Sequence, residues 1–313
     1  MLYINQKQAK NLQNDQNRLV FVAKVSLITL LIAFFSLLTY IIIDYPNNKQ
    51  SSLDYLYESI STTTWQSFAL LILIGALFSL LSSLRLFGQK QLASYLFFPI
   101  YRISIILTIV AGITVFKEEI SWIILFFLSI VFFITLFFLA KPKKREHKNH
   151  KKGLFIALLC AILASTTQIL SAILLKSDQV LFNFNLGEGS QLTENISQIS
   201  PILMVIGSNL INLIICSSLL FIRYSKTALL TIFQFDHPSR ASGVYNFIAF
   251  FTLNAYLTTG DLSTIYPISA LSIILPTLIM QLRGEEKPPS KRQILFYFAS
   301  LIAILILAVL KAS

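Results

Sequence analysis

A multi-pass bundle of membrane-spanning helices, assembled from two copies of one repeat, is the fold this 313-residue sequence predicts. Three observations lead there. Hydrophobic residues make up 55% of the chain and charged ones only 12%, with a mean hydropathy of +0.72, whereas a soluble domain carries about 25% charge. The apolar stretches run continuously for roughly 20 residues, the length an α-helix needs to cross a bilayer, without the alternation of a barrel strand. Finally, Pro99-Ile100-Tyr101-Arg102-Ile103-Ser104-Ile105-Ile106-Leu107 returns 168 residues later as Pro267-Ile268-Ser269-Ala270-Leu271-Ser272-Ile273-Ile274-Leu275.

Nine spans follow from the hydropathy: Leu19–Ile43, Trp65–Phe87, Leu92–Phe116, Ile120–Ala140, Leu154–Leu175, Ile202–Ile222, Gly243–Thr258, Leu262–Leu282 and Ile294–Leu310. The seventh is short and is expected to begin earlier, near Phe233. The first is too long for a cleaved signal peptide and lacks a small-residue cleavage site. Residues 1–140 make a first repeat of four spans, 141–152 a basic linker, and 153–313 a second repeat of five.

Charge sets the orientation. Alternate connections carry nineteen Lys/Arg on one side and four (Lys49, Lys117, Lys176 and Lys311) on the other. The positive-inside rule places the richer set in the cytoplasm, with the N-terminus inside and the C-terminus outside. The run KPKKREHKNHKK is then a topology anchor, and nucleic acid is not an expected partner. His147 and His150 lie within that run with no third ligand nearby, so no metal is expected. Cys160 and Cys216 fall within spans as packing residues and match no ligand spacing. Trp65 and Trp122 stand near outer span ends, where aromatic belts form.

With Arg85 counted to the turn that follows it, the spans contain no carboxylate and two cations, Lys24 and Arg102. Lys24 is a turn from the cytoplasmic end and is expected to snorkel to head groups. Arg102 lies ten residues into its span, three after Pro99, where a charge persists mainly against a cavity or a partner. Three readings stay open for it: contact with an anionic substrate, satisfaction by carbonyls freed near Pro99, or a shallower position. Tyr101, Gln168, Asn209, Asn212, Asn246, Asn254 and Tyr266 are the further candidates for substrate contact. Asn209 and Asn212 share one helix face, as do Asn246 and Asn254. Interhelical hydrogen bonding explains such asparagines as well as cavity lining does. Pro99, Pro267 and Pro276 are candidate helix breaks, the first two at matching places in the two halves as in repeat-built transporters.

The halves also close alike, SIILTIVAGITVFKEE at Ser104 to Glu119 paralleling SIILPTLIMQLRGEE at Ser272 to Glu286, each followed by one more apolar span. On YPISALSIILPTLIMQLRGEE and its Gly284-Glu285 turn, the chain resembles the EamA-like members of the drug/metabolite transporter superfamily. The resemblance covers about Ser83 to Leu139 and Ser242 to Leu310; Lys117 stands where its first-half turn would have Gly. It implies inverted repeats with a substrate cavity between them, and five helices per half where four precede the linker here. The counterpart of the fifth span would lie upstream of Met1, either lost or encoded before an earlier start codon.

No nucleophile elbow, phosphate loop or HExxH motif points to an enzyme, and no cofactor is called for. Asp236-His237 before Pro238 is a helix-start turn. The expected activity is secondary transport of a small metabolite across the cytoplasmic membrane by alternating access. Without carboxylates in the spans, the substrate is expected to be anionic or zwitterionic rather than a cationic drug. A flippase for lipid-linked or amphipathic substrates is the alternative within transport, and a membrane-embedded enzyme or scaffold the alternative outside it.

Overall fold

A computed structural model describes residues 15–44, 63–92, 97, 100–101, 103–116, 118, 126, 150–176, 200–224, 226–258, 294, 298 and 302. These residues form helices and short connections, with no strand among them. We number the helices α1 (Asp15–Asp44), α2 (Trp65–Gln91), α3 (Ile103–Thr114), α4 (His150–Leu175), α5 (Pro201–Arg223), α6 (Lys226–Leu230) and α7 (His237–Leu257). Four of them, α1, α2, α4 and α5, are long and apolar enough to cross a membrane. At 1.5 Å per residue, the 27 residues of α2 reach about 40 Å, beyond the roughly 30 Å hydrocarbon layer. The expected span Leu262–Leu282, and most of Ile120–Ala140 and Ile294–Leu310, lie outside the described residues.

Local sequence sets the helix ends. Ser200 caps α5, its hydroxyl accepting from the Leu203 N–H, with Pro201 in the first turn where a missing N–H costs nothing. Asp236 caps α7 in the same way, accepting from Ser239 N at 2.8 Å, with Pro238 next in line. The helix-start turn expected there is present, and α7 begins at His237, between the two starts the hydropathy suggested. At its other end α3 is closed by Glu118 N–H on Gly112 O at 3.1 Å. Beyond α5, α6 and a 3-10 turn (Thr231–Phe233) bury Ala228 and Ile232 and lead back to α7.

The chain divides into two units. Unit 1 is mainly residues 12–83 with 167–259, and unit 2 residues 84–166 with 260–313. In unit 1, α1 packs most extensively on α5 and next on α7. Paired positions give the helix directions. Leu71 meets Gly207, Gly75 meets Ile211 and Ser79 meets Cys216, so α2 and α5 run parallel. Lys24 meets Asp236 and Ile28 meets Gly243, so α1 and α7 also run parallel. Ser26 pairs with Asn212, and Thr29 shares Asn246 with Asn209, so α1 and α5 are antiparallel.

Two of these contacts need glycine. A Cβ on Gly243 would stand 2.5 Å from Ile28 Cγ2 and 2.6 Å from Ile28 Cβ, and one on Gly75 would stand 2.7 Å from Ile211 Cβ. Helix backbones approach this closely only over small residues, which suits bilayer packing, where dispersion replaces the hydrophobic effect. Outward faces keep apolar side chains exposed, among them Phe35, Ile72, Ile214 and Ile248. α7 is the exception to high hydropathy because it turns Ser239, Ser242, Asn246 and Asn254 inward.

In unit 2 the last turns of α2 lie antiparallel to the first turns of α4, with Gly88 against Ile156 and Gly153 against Gln91 and Leu92. Phe97, fully buried, covers Gly88 and stacks on Tyr101 at 6.2 Å between ring centroids.

Candidate functional site

A buried polar seam runs through unit 1. Ser26 and Thr29, three residues apart, occupy one face of α1; Asn209, Asn212 and Cys216 face them from α5, and Gly243 and Asn246 from α7. Asn212 Nδ2 donates to Ser26 Oγ at 2.7 Å, while Asn212 Oδ1 accepts from Cys216 Sγ at 3.4 Å. Cys216 in turn lies 3.6 Å from Ser79 Oγ of α2. Asn246 Nδ2 donates to Thr29 Oγ1 at 3.1 Å and to Asn209 Oδ1 at 3.4 Å. The Thr29 hydroxyl reaches the Val25 carbonyl at 2.8 Å and the Gly243 carbonyl at 3.2 Å. Asn209 Nδ2 closes on the Val205 carbonyl of its own helix at 2.9 Å.

These bonds separate the four asparagines. Both amide atoms of Asn209 and of Asn212 have protein partners, and Asn246 ties α7 to α1 and α5. Such contacts contribute about 0.6 kcal/mol each between helices in a membrane. Asn254 differs. Its side chain is fully buried, eight residues further along α7 and thus about 12 Å deeper, and neither Oδ1 nor Nδ2 has a hydrogen-bond partner among the described residues. A buried amide left in that state costs about 1–3 kcal/mol.

Near one end of the seam Lys24 Nζ pairs with Asp236 Oδ2 at 3.0 Å, the lysine buried and the carboxylate half-exposed. Lys24 therefore does not snorkel to head groups: the cap of α7, reached across 212 residues of sequence, supplies its counter-charge. Burial pushes the Asp236 carboxyl up, but the Ser239 N–H, the Lys24 ammonium and the Ser239 hydroxyl together hold it below its ordinary value.

The other predicted residues distribute as follows. Tyr101 is partly buried in unit 2, with the Arg85 guanidinium as a neighbour of its hydroxyl. Gln168 is partly buried and engaged in contacts. Arg102, Tyr266, Pro99, Pro267 and Pro276 lie outside the described residues. Trp65 is exposed and stacked on Phe68. Cys160 and Cys216 are free thiols, and no cluster of metal-ligating side chains occurs among the described residues. Ser26 and Thr29 escaped notice in the sequence because Ser and Thr are ordinary in apolar helices; their three-residue spacing was the one available sign. Arg85 was counted with a turn, yet α2 continues six residues past it.

No family model matches the chain, and no curated protein matches it. Among 20 matching chains of solved structures, one described only as "Crystal structure of protein" covers 99% of this chain and 94% of its own length. The two are 13% identical with a TM-score of 0.63, a likeness of fold.

Proposed function

We propose that the chain is an EamA-like secondary transporter of the cytoplasmic membrane, moving a small anionic or zwitterionic metabolite by alternating access of two inverted repeats. The observation that carries the proposal is Asn254. An amide that served only helix adhesion would end on a partner, as Asn209 and Asn212 do. One facing a substrate path keeps donor and acceptor free for cargo.

The helix packing supports the repeat. Gly75 and Gly243 are 168 residues apart, the offset that relates Pro99 to Pro267. Each meets an isoleucine of the other half, Ile211 for Gly75 and Ile28 for Gly243, and each pair joins parallel helices. Phe78 and Phe250, nearly one repeat apart, stack at 5.4 Å. A two-fold axis in the membrane plane pairs elements in this reciprocal way. The parallel run of α2 and α5 requires an odd number of crossings between them, and the hydropathy supplies three.

The test is counterflow in proteoliposomes loaded with organic acids or amino acids. The proposal expects exchange of one labelled class, abolished by Arg102→Ala and by Asn254→Leu in variants that still insert and purify. Arg102→Lys should recover part of the rate, since a point charge lacks the two-pronged fork. Vesicles that exchange none of these solutes but scramble a labelled lipid would replace the proposal with the flippase reading.

A further inference from the structure

Arg85 and Gln89 are one turn apart on α2, so their heads share a face of the helix. That face looks onto Tyr101, one turn beyond Phe97, and onto Cys160 and Ile156 of α4. Gln89 is only 4% exposed, and neither its Oε1 nor its Nε2 has a partner among the described residues. The Nε of Arg85 is likewise buried without one. The guanidinium has the Tyr101 hydroxyl as a neighbour, and no carboxylate pairs with it among the described residues. The described acid of unit 2, Glu118, lies past the C-terminal end of α3, seventeen residues after Tyr101. Lysines surround the same end of α2, with Lys90 exposed in its last turn and Lys152 over the Phe87 ring at 5.3 Å.

A guanidinium and a carboxamide, both with buried unfilled hydrogen-bonding atoms and both without an acidic partner among the described residues, match one ligand chemistry. An oxyanion takes two parallel N–H bonds from a guanidinium fork, a third from the Gln89 amide, and a fourth from a tyrosine hydroxyl. The Gln89 carbonyl is left to accept from a hydroxyl or ammonium beside the anionic group. We propose that Arg85, Gln89 and Tyr101 form a binding site for a carboxylate or phosphate group, presented by a small soluble molecule or by an anionic lipid. The site deepens the transporter reading by naming the group that a substrate would present. Its test measures binding without transport, so the two can fail separately.

The full chain, purified in neutral detergent and stripped of lipid, is titrated at constant ionic strength with inorganic phosphate, with succinate and with dioctanoyl phosphatidylglycerol. Unfolding is followed by a thiol-reactive fluorophore reporting the two buried cysteines. At least one of the three should raise the midpoint saturably. Arg85→Gln and Gln89→Leu should weaken its apparent affinity at least tenfold, Arg85→Lys less, and Lys90→Gln, at the rim, less than twofold. A response to phosphate or succinate assigns a soluble ligand, and a response to the phospholipid alone assigns a head group. Should Arg85→Gln fail to fold, Gln89→Leu decides, because that amide has no protein partner to lose. A wild-type midpoint unmoved by all three, or moved equally in Gln89→Leu, overturns the site.

Discussion

Gly243→Ala is the substitution whose cost can be worked from the geometry. The added Cβ would lie 2.5 Å from Ile28 Cγ2 and 2.6 Å from Ile28 Cβ. Rotating the isoleucine could move the first atom, but the second is fixed to the α1 backbone. The helices must separate by about 1 Å to restore contact near 3.5 Å. Overpacking of this kind costs up to ~3 kcal/mol when no rotamer relieves it. The same separation stretches Thr29 to the Gly243 carbonyl, now 3.2 Å, and Asn246 to Thr29, now 3.1 Å. Those two bonds are together worth about 1.2 kcal/mol. Alanine returns up to ~1 kcal/mol in helix propensity. The net is a loss of about 3 kcal/mol, or ~150-fold in the folded to unfolded ratio. Equilibrium unfolding in mixed detergent measures it against Val244→Ala, the adjacent position, whose side chain is exposed. If Gly243→Ala proves as stable as that control, α1 and α7 do not meet as described.

Two further outcomes are expected. The Asp236 carboxyl is held below its ordinary value, so its contribution to stability is present above the unfolded pKa and is lost as pH falls through the folded one. Asp236→Asn keeps an N-cap side chain but removes the charge, so its deficit against wild type should shrink below about pH 4; a deficit that stays constant from pH 7 to 3 would rule out the ion pair. In a protein without its native cysteines, Ser190→Cys should react with an impermeant thiol reagent on intact cells and Lys148→Cys should not, while the opposite pattern would reverse the orientation drawn from the charge census.

Helical class, helix starts and inward faces could be read from the sequence because each is a local signal. Ser200-Pro201 and Asp236 before Pro238 mark caps by residue type alone. The spacing of Asn209 with Asn212 and of Asn246 with Asn254 placed each pair on one face, and all four are buried. Partners were not legible. Ser26 lies 186 residues from Asn212, and Thr29 lies 217 from Asn246. Nothing in either segment encodes the register that joins them. Between α1 and α7 the close approach over Gly243 accompanies that register, and a glycine in an apolar helix gives no hint of what it faces. For the same reason four similar asparagines could not be sorted into adhesive ones and one without a partner. Arg85 stands two residues from the hydropathic edge at Phe87, where a charge reads as part of the connection whether or not the helix continues, and α2 runs on to Gln91.

The long sequence reach of α1 has a consequence for synthesis. At about 5–20 residues per second, a ribosome that has finished α1 needs roughly 10–40 s more to complete α7. Ser26 gains Asn212 once α5 is made, but until α7 follows Thr29 has neither Gly243 nor Asn246, and Lys24 waits for a carboxylate encoded 212 residues downstream. The nascent first helix must be sheltered by the insertion machinery or remain near the lipid surface until the second half emerges. Chains interrupted before Asp236 would expose an unpaired ammonium, a mark by which cellular surveillance could tell an unfinished copy from a complete one.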